Sequence, residues 1–342
     1  MQTAIALSTM LAATQAADWN YATNGADWPD AFPECGATNQ SPIDLKTDTS
    51  GYQIFGAADD DITKIYSNQY GGTVNWNGHT SQTDLGKDAT TDKMTTVNFF
   101  KSKIAKNHFG APDTFEGIQF HFHAGSEHTI DGKRQDLEMH TVHYPKSPEG
   151  GFIAAAVGIM FSVNDHNAQL TTEEEDVITA FFDGLKWNDG GDAVVSDMIL
   201  YGNLMEMVDS NKRWMYKGSV TTPPCATYVY WNVLSTIYPV SQKHLDLFVN
   251  TQLVKGEDGE LDNRGNWRVT VPEDEHGVIY LDGSSSSSGG GSEGGMMETQ
   301  VIDNTNYMVA VIILAIVAGV GIIASTLLYF MKANTDKKYE EI

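Results

Sequence analysis

Residues 115–123, FEGIQFHFH, constrain the fold more than any other stretch of this chain. Polar and apolar side chains alternate here, which is the period of a half-buried β-strand. Ile118, Phe120 and Phe122 fall on one face, and Gln119, His121 and His123 on the other. The phenylalanines demand a core behind the strand, and the two imidazoles are thereby presented side by side in front of it. A second alternating stretch, Asp136–Tyr144, puts Glu138, His140 and Val142 on one face. The turn-like TIDGKRQD lies between the two, so an antiparallel hairpin brings His140 beside His121 and His123. Three converging histidines with no fourth protein ligand nearby form the donor set of a catalytic zinc site that keeps one position open. Gln119 precedes His121 by two residues and Glu138 precedes His140 by two. Each is placed to take the far N–H of its neighbour's ring, which fixes tautomer and orientation.

The other signals are also mainly β. FIAAAVGIMFSV (152–163) is the continuous apolar run of a central strand, and TYVYWNVL (227–234) is aromatic and β-branched. Helical signals are few: TTEEED opens a capped helix over 171–182, and 241–248 supplies another. These patterns predict a mainly β fold, with a large twisted, mostly antiparallel sheet and short peripheral helices.

The ends of the chain read differently. Residues 1–16 carry a short apolar run followed by small residues, as in a cleaved signal peptide, although the basic n-region is missing. GSSSSSGGGSEGG begins a flexible linker, 283–306, with nothing to bury. Met308–Met331 is uncharged over 24 residues, long enough to cross a hydrocarbon core of about 30 Å, so 307–331 is predicted to be a transmembrane helix. Lys332, Lys337 and Lys338 follow it, and the preceding flank is acidic, which assigns 332–342 to the cytoplasm and the domain 17–282 to the outer or lumenal side. The expectation is a single-pass type I membrane protein. An exported domain would use Cys35 and Cys225 for one disulfide, the alternative being two buried free thiols. A formal charge of −24 repels phosphate backbones and argues against nucleic acid as a partner. A homo-oligomer finds no support in the sequence.

The segments NQSPIDL (39–45), NGH (77–79), QFHFHAGSEHT (119–129), LEMHTVH (137–143) and GSVTTPPC (218–225) together resemble the α-class carbonic anhydrases, in order and approximate spacing, over 19–272. That family is itself the reference case for a three-histidine zinc, so the metal chemistry is carried over with the resemblance. The resemblance implies that His121, His123 and His140 hold zinc, and that zinc-bound hydroxide attacks carbon dioxide to give bicarbonate and a proton. Thr221 would accept the hydroxide's hydrogen and donate its own to Glu127, making that carboxylate an orienter and not a ligand. Val142, Ala156, Val220, Thr222 and Trp231 would form the substrate pocket. Ala156 and Val220 are each smaller than the commonest family residue, which implies a roomier pocket. His79 would be the proton shuttle, with Tyr21 and Asn77 ordering the intervening waters and Gln82 contributing. One departure is NWRVTVP (266–272), where Val269 replaces a proline of the family pattern. His128 and His143 are expected to make structural hydrogen bonds, and His108, His166, His244 and His276 to lie on the surface. The rival reading is a non-catalytic binding or matrix protein that reuses the fold.

Overall fold

A computed structural model of the chain describes residues 19–60, 63–86, 97–147, 149–256, 261–273 and 276–284. The chain divides into two units, Met1–Ser287 and Ser288–Ile342, and every described residue belongs to the first. The signal-like segment, nearly all of the linker, the apolar run 308–331 and the tail therefore lie outside the described residues. Among the described residues no helix is long and apolar enough to cross a membrane.

Ten strands make the spine of one twisted sheet: β1 Gln53–Phe55, β2 Gln69–Trp76, β3 Ser81–Asp84, β4 Thr114–His123, β5 Leu137–Pro145, β6 Ala154–Ser162, β7 Ala193–Ile199, β8 Lys212–Ser219, β9 Thr227–Leu234 and β10 Ile279–Asp282. Their order is β7-β2-β3-β4-β5-β6-β9-β8-β10-β1. The hairpin-connected pairs are antiparallel, but β6 runs parallel to β9 and β10 parallel to β1, so the sheet is mixed. β6 is buried along its whole length, as its unbroken apolar sequence predicts for a strand covered on both faces.

Alternation along the strands separates two cores. Phe120 and Phe122 of β4 face Phe181 and Phe182 of the helix Thr172–Gly184. That helix begins in the capping box its sequence announces: Thr171 Oγ1 accepts from Glu174 N–H at 3.2 Å, and Glu174 Oε2 accepts from Thr171 N–H at 2.7 Å. Ser241 caps Gln242–Leu247 by accepting from the backbone N–H of His244 at 3.2 Å. On the opposite face Ile43, Ala156, Met160, Tyr216 and Trp231 form a smaller cluster. Cys35 and Cys225 form a disulfide across a sequence separation of 190.

Two expectations about histidines are corrected. His244 is buried because its ring stacks on Phe182 at 5.5 Å and its Nε2 meets Asp183 Oδ1 at 2.9 Å. His276 is buried because Nε2 donates to the Gln40 carbonyl at 2.6 Å. His108 is exposed and His166 half-buried, while His128 and His143 are buried and hydrogen-bonded.

Candidate metal centre

β4 and β5 pair with His140 opposite His121, so the hairpin logic of the sequence places the third imidazole beside the first two. One nitrogen from each of His121, His123 and His140 lies within 4.8 Å of the others. The rings meet at angles to one another, with centroids 5.0 Å apart for His121–His123, 5.3 Å for His121–His140 and 4.7 Å for His123–His140.

The far nitrogen of each ring is tied to an acceptor. His121 Nδ1 donates to Gln119 Oε1 at 2.8 Å, His123 Nδ1 to the Asn266 carbonyl at 2.6 Å, and His140 Nε2 to Glu138 Oε1 at 2.8 Å. None of these acceptors can donate from the bonded oxygen, so each must meet an N–H. The remaining nitrogens, His121 Nε2, His123 Nε2 and His140 Nδ1, then carry lone pairs. Burial holds His121 well below the ordinary histidine range, with His123 and His140 adding to it, and burial lowers His123 also. At His140 burial again disfavours the cation, but the Glu138 carboxylate outweighs it and the net direction is upward. Glu138 itself is held well below the carboxylate range: burial opposes its charge, and His128 and His140 overcome that.

Glu127 is wholly buried behind the rings. Its Oε1 accepts the backbone N–H of Arg268 at 2.9 Å. The expected hydrogen bond from Thr221 is not formed. Oε2 has no hydrogen-bond partner and turns to the imidazoles, 3.5 Å from His123 Nε2 and 3.8 Å from His140 Nδ1. His123 Nε2 is likewise buried without a hydrogen-bond partner. Three imidazole lone pairs, one of them on the buried and unpaired His123 Nε2, with the unpaired Glu127 Oε2 close by, fit a divalent cation, and an all-imidazole set suits zinc. A second cluster, His128, Glu138 and His140, is a hydrogen-bonded network, since both nitrogens of His128 are taken, by Glu138 and by Tyr216.

The histidines floor a cleft of about 240 Å³. The sequence-expected residues Val142, Ala156, Val220, Thr221, Thr222 and Trp231 line it, as do Tyr21, Asn77, His79 and Gln82. Asn77 Oδ1 accepts the backbone N–H groups of His79 and Thr80, at 3.1 and 2.9 Å, which fixes the turn that carries His79. Burial pushes the Tyr21 phenol well above its usual value, so it stays protonated. Val229 and Ala154, which the sequence did not single out, extend the apolar wall.

Three further contributors were invisible to local spacing. Trp19 stacks on His79 with centroids 3.8 Å apart, far from it in sequence. Asn266 anchors His123 through its carbonyl, and its side chain bonds Ala124 N–H and the carbonyls of His79 and Phe122. Val269 uses an N–H that proline lacks, donating to the Asn24 carbonyl at 2.9 Å, while Asn24 Nδ2 donates to the Trp267 carbonyl. The NWR run would have been the signal for the last two.

Comparison with known proteins agrees with this geometry. A profile of the eukaryotic-type carbonic anhydrase family matches residues 23–281. Carbonic anhydrase 6 of Bos taurus is 28% identical over 272 residues, 75% of this chain and 77% of its own. Among solved structures, an α-carbonic anhydrase from Thermovibrio ammonificans complexed with sulfanilamide superposes with a TM-score of 0.55 at 24% identity, covering 77% of this chain and 99% of that one. Dioscorin complexed with ascorbate superposes at 0.54 and 22% identity, over 76% of this chain and 94% of that one, and so has the same fold.

Proposed function

The chain belongs to the eukaryotic-type carbonic anhydrase family, and on that footing we propose that it catalyses the zinc-dependent, reversible hydration of carbon dioxide to bicarbonate and a proton. The observation that carries the reading is the trio of imidazoles, each with its far nitrogen anchored and its near nitrogen turned to one point. His121, His123 and His140 hold the metal. Zinc bound there supplies a Lewis acid that makes water nucleophilic near neutral pH.

The remaining work belongs to the protein. Gln119, the Asn266 carbonyl and Glu138 keep the three rings in the ligating tautomer. Val142, Ala156, Val220 and Trp231 offer an apolar wall to a substrate that has no charge. The Thr221 hydroxyl, in the wall of the cleft, orients the reacting oxygen; its turn toward Glu127 Oε2, which is buried here without a partner, is a step of the working site and not a contact of this structure, and Thr222 completes that edge of the cleft. His79, half-buried and stacked on Trp19, takes the released proton on its imidazole and passes it to solvent; Tyr21 and Asn77 set its surroundings.

The domain works on the outer or lumenal side of a membrane, tethered by the linker 283–306 and the apolar run 307–331. A disulfide suits an oxidising compartment, and the lysines after the run suit a cytoplasmic tail. Stopped-flow hydration of carbon dioxide, before and after chelation and after zinc is restored, tests the activity. Loss and recovery are expected. Zinc near one per chain with no turnover would instead favour a binding protein on this fold. His140→Ala is expected to lose both metal and turnover, and full zinc occupancy in that variant would defeat the ligand assignment. A chain ending before Gly283 is expected to be soluble and fully active.

A further inference from the structure

A second, smaller cavity opens on the other face of the sheet. It takes Val157 where the metal cleft takes Ala156, and Asn232 where the cleft takes Trp231. Its volume is about 20 Å³, room for about one water-sized group. Apolar side chains, Phe100, Met205 and Leu234 among them, make most of its wall. Lys64 enters it from the short strand Thr63–Ile65, and its Nζ donates to the Val208 carbonyl at 2.8 Å.

Arg213 and Asn232 stand in the same wall. The Arg213 guanidinium is buried and fully engaged: it pairs with Asp60, donates from Nη1 to the Ser210 carbonyl at 2.5 Å, and donates from Nε to Asn232 Oδ1 at 3.0 Å, which fixes the Asn232 amide. Asn232 is 2% exposed, and its Nδ2 is a buried donor with no partner. A buried amide N–H₂ is incomplete without an acceptor. An amine and an unpaired amide donor thus share one apolar cavity.

We propose that Lys64 is a carbamylation site, its amine taking up dissolved carbon dioxide and the carbamate so formed accepting from Asn232 beside Arg213. The Nζ lone pair attacks the carbon, an N–C bond forms, one C=O π pair moves onto oxygen, and Nζ releases a proton to solvent. Nothing is oxidised or reduced. The side chain passes from a cation, when protonated, to an anion, and the N–H kept by the carbamate still reaches the Val208 carbonyl.

The ionisation of Lys64 suits this chemistry. Burial pushes it down to about 8, and Arg213 assists, against the opposing carboxylates of Asp209 and Glu206. Of the other titratable groups, Asp60 is paired with Arg213 behind the cavity wall, and the Tyr66 phenol, which lines the cavity, is held in its neutral form by burial. About half of Lys64 is therefore free amine at pH ~8, against roughly 0.3% of an ordinary lysine. The site needs only dissolved carbon dioxide, so it stands independently of turnover at the histidines.

The test equilibrates the full chain with carbon-13-labelled carbon dioxide and bicarbonate at pH ~8, fixes carbamates with a trialkyloxonium salt, and maps peptides by mass spectrometry. Lys133 and Lys243, whose side chains are 60% and 69% exposed, serve as comparators. Lys64 is expected to carry at least about tenfold more label than either, given its amine fraction. Equal labelling of the three, or none at Lys64, overturns the proposal. In carbon-13 NMR of the same equilibrated samples, Lys64→Arg is expected to remove the carbamate resonance while leaving the fold intact. A carbon-13 signal that survives in that variant marks a free bound anion and also overturns it. Asn232→Leu is expected to lower the yield at Lys64 about tenfold, and an unchanged yield overturns the role of that amide. Should that variant not fold, labelling of the native chain still decides.

Discussion

Replacing Glu138 by glutamine keeps the shape of the side chain and removes what the site needs from it. The two carboxylate oxygens accept four hydrogen bonds: Oε1 from His140 Nε2 and His128 Nδ1, both at 2.8 Å, and Oε2 from the backbone N–H groups of Glu127 at 2.7 Å and His128 at 2.9 Å. Gly158 on the neighbouring strand makes this approach possible, since a Cβ there would lie 2.8 Å from Oε1. In Glu138→Gln one end of the group becomes a donor, and either orientation sets it against two donors. If the amide nitrogen faces the imidazoles, His140 must move its proton to Nδ1 and loses the lone pair turned toward His121 and His123. If it faces the loop, two buried backbone N–H groups lose their acceptor, at about 1–3 kcal/mol each.

The expected outcome is zinc affinity lower by about 10–100-fold and unfolding free energy lower by about 2–6 kcal/mol. Competition with a chromophoric chelator measures the first, and urea denaturation of the metal-free protein the second. The pH dependence has a definite sign. Because the folded value of Glu138 is depressed, its contribution is present above the unfolded value of 4.5 and is lost as pH falls through the folded value. The glutamine variant should lack that part of the acid limb. Native zinc affinity together with native stability in Glu138→Gln would refute the claim that this carboxylate sets the tautomer of His140.

Three other outcomes follow from the same geometry. Zinc affinity of the wild type should fall on acidification as His140 protonates, because Glu138 holds its folded value above 6.5; chelator competition across pH, showing no such fall, would contradict it. His79→Ala should slow hydration in weak buffer and recover with added imidazole, read by stopped flow, whereas an unchanged rate without buffer would assign the proton to another group. Removing the disulfide by Cys35→Ser with Cys225→Ser should cost up to about 5 kcal/mol in chemical denaturation, and should raise KM or lower kcat by loosening the segment that carries Thr221 and Thr222.

What the sequence determined by itself was whatever travels along one strand or one hairpin. The period of two placed His121 and His123 together and put Gln119 and Glu138 behind their rings. The hairpin supplied His140, the unbroken run 152–163 marked a strand buried on both faces, and Thr171 and Glu174 wrote their own helix start. These are local because side-chain direction in a strand and capping at a helix end depend on neighbours a few residues away. Only the tertiary structure decided what anchors His123, since Asn266 lies 143 positions further on. It alone set Trp19 against His79, buried His244 and His276, and turned Glu127 toward the rings in place of Thr221. Those contacts come from strands and loops brought together by packing, and no pattern of spacing along the chain encodes which distant carbonyl or ring arrives.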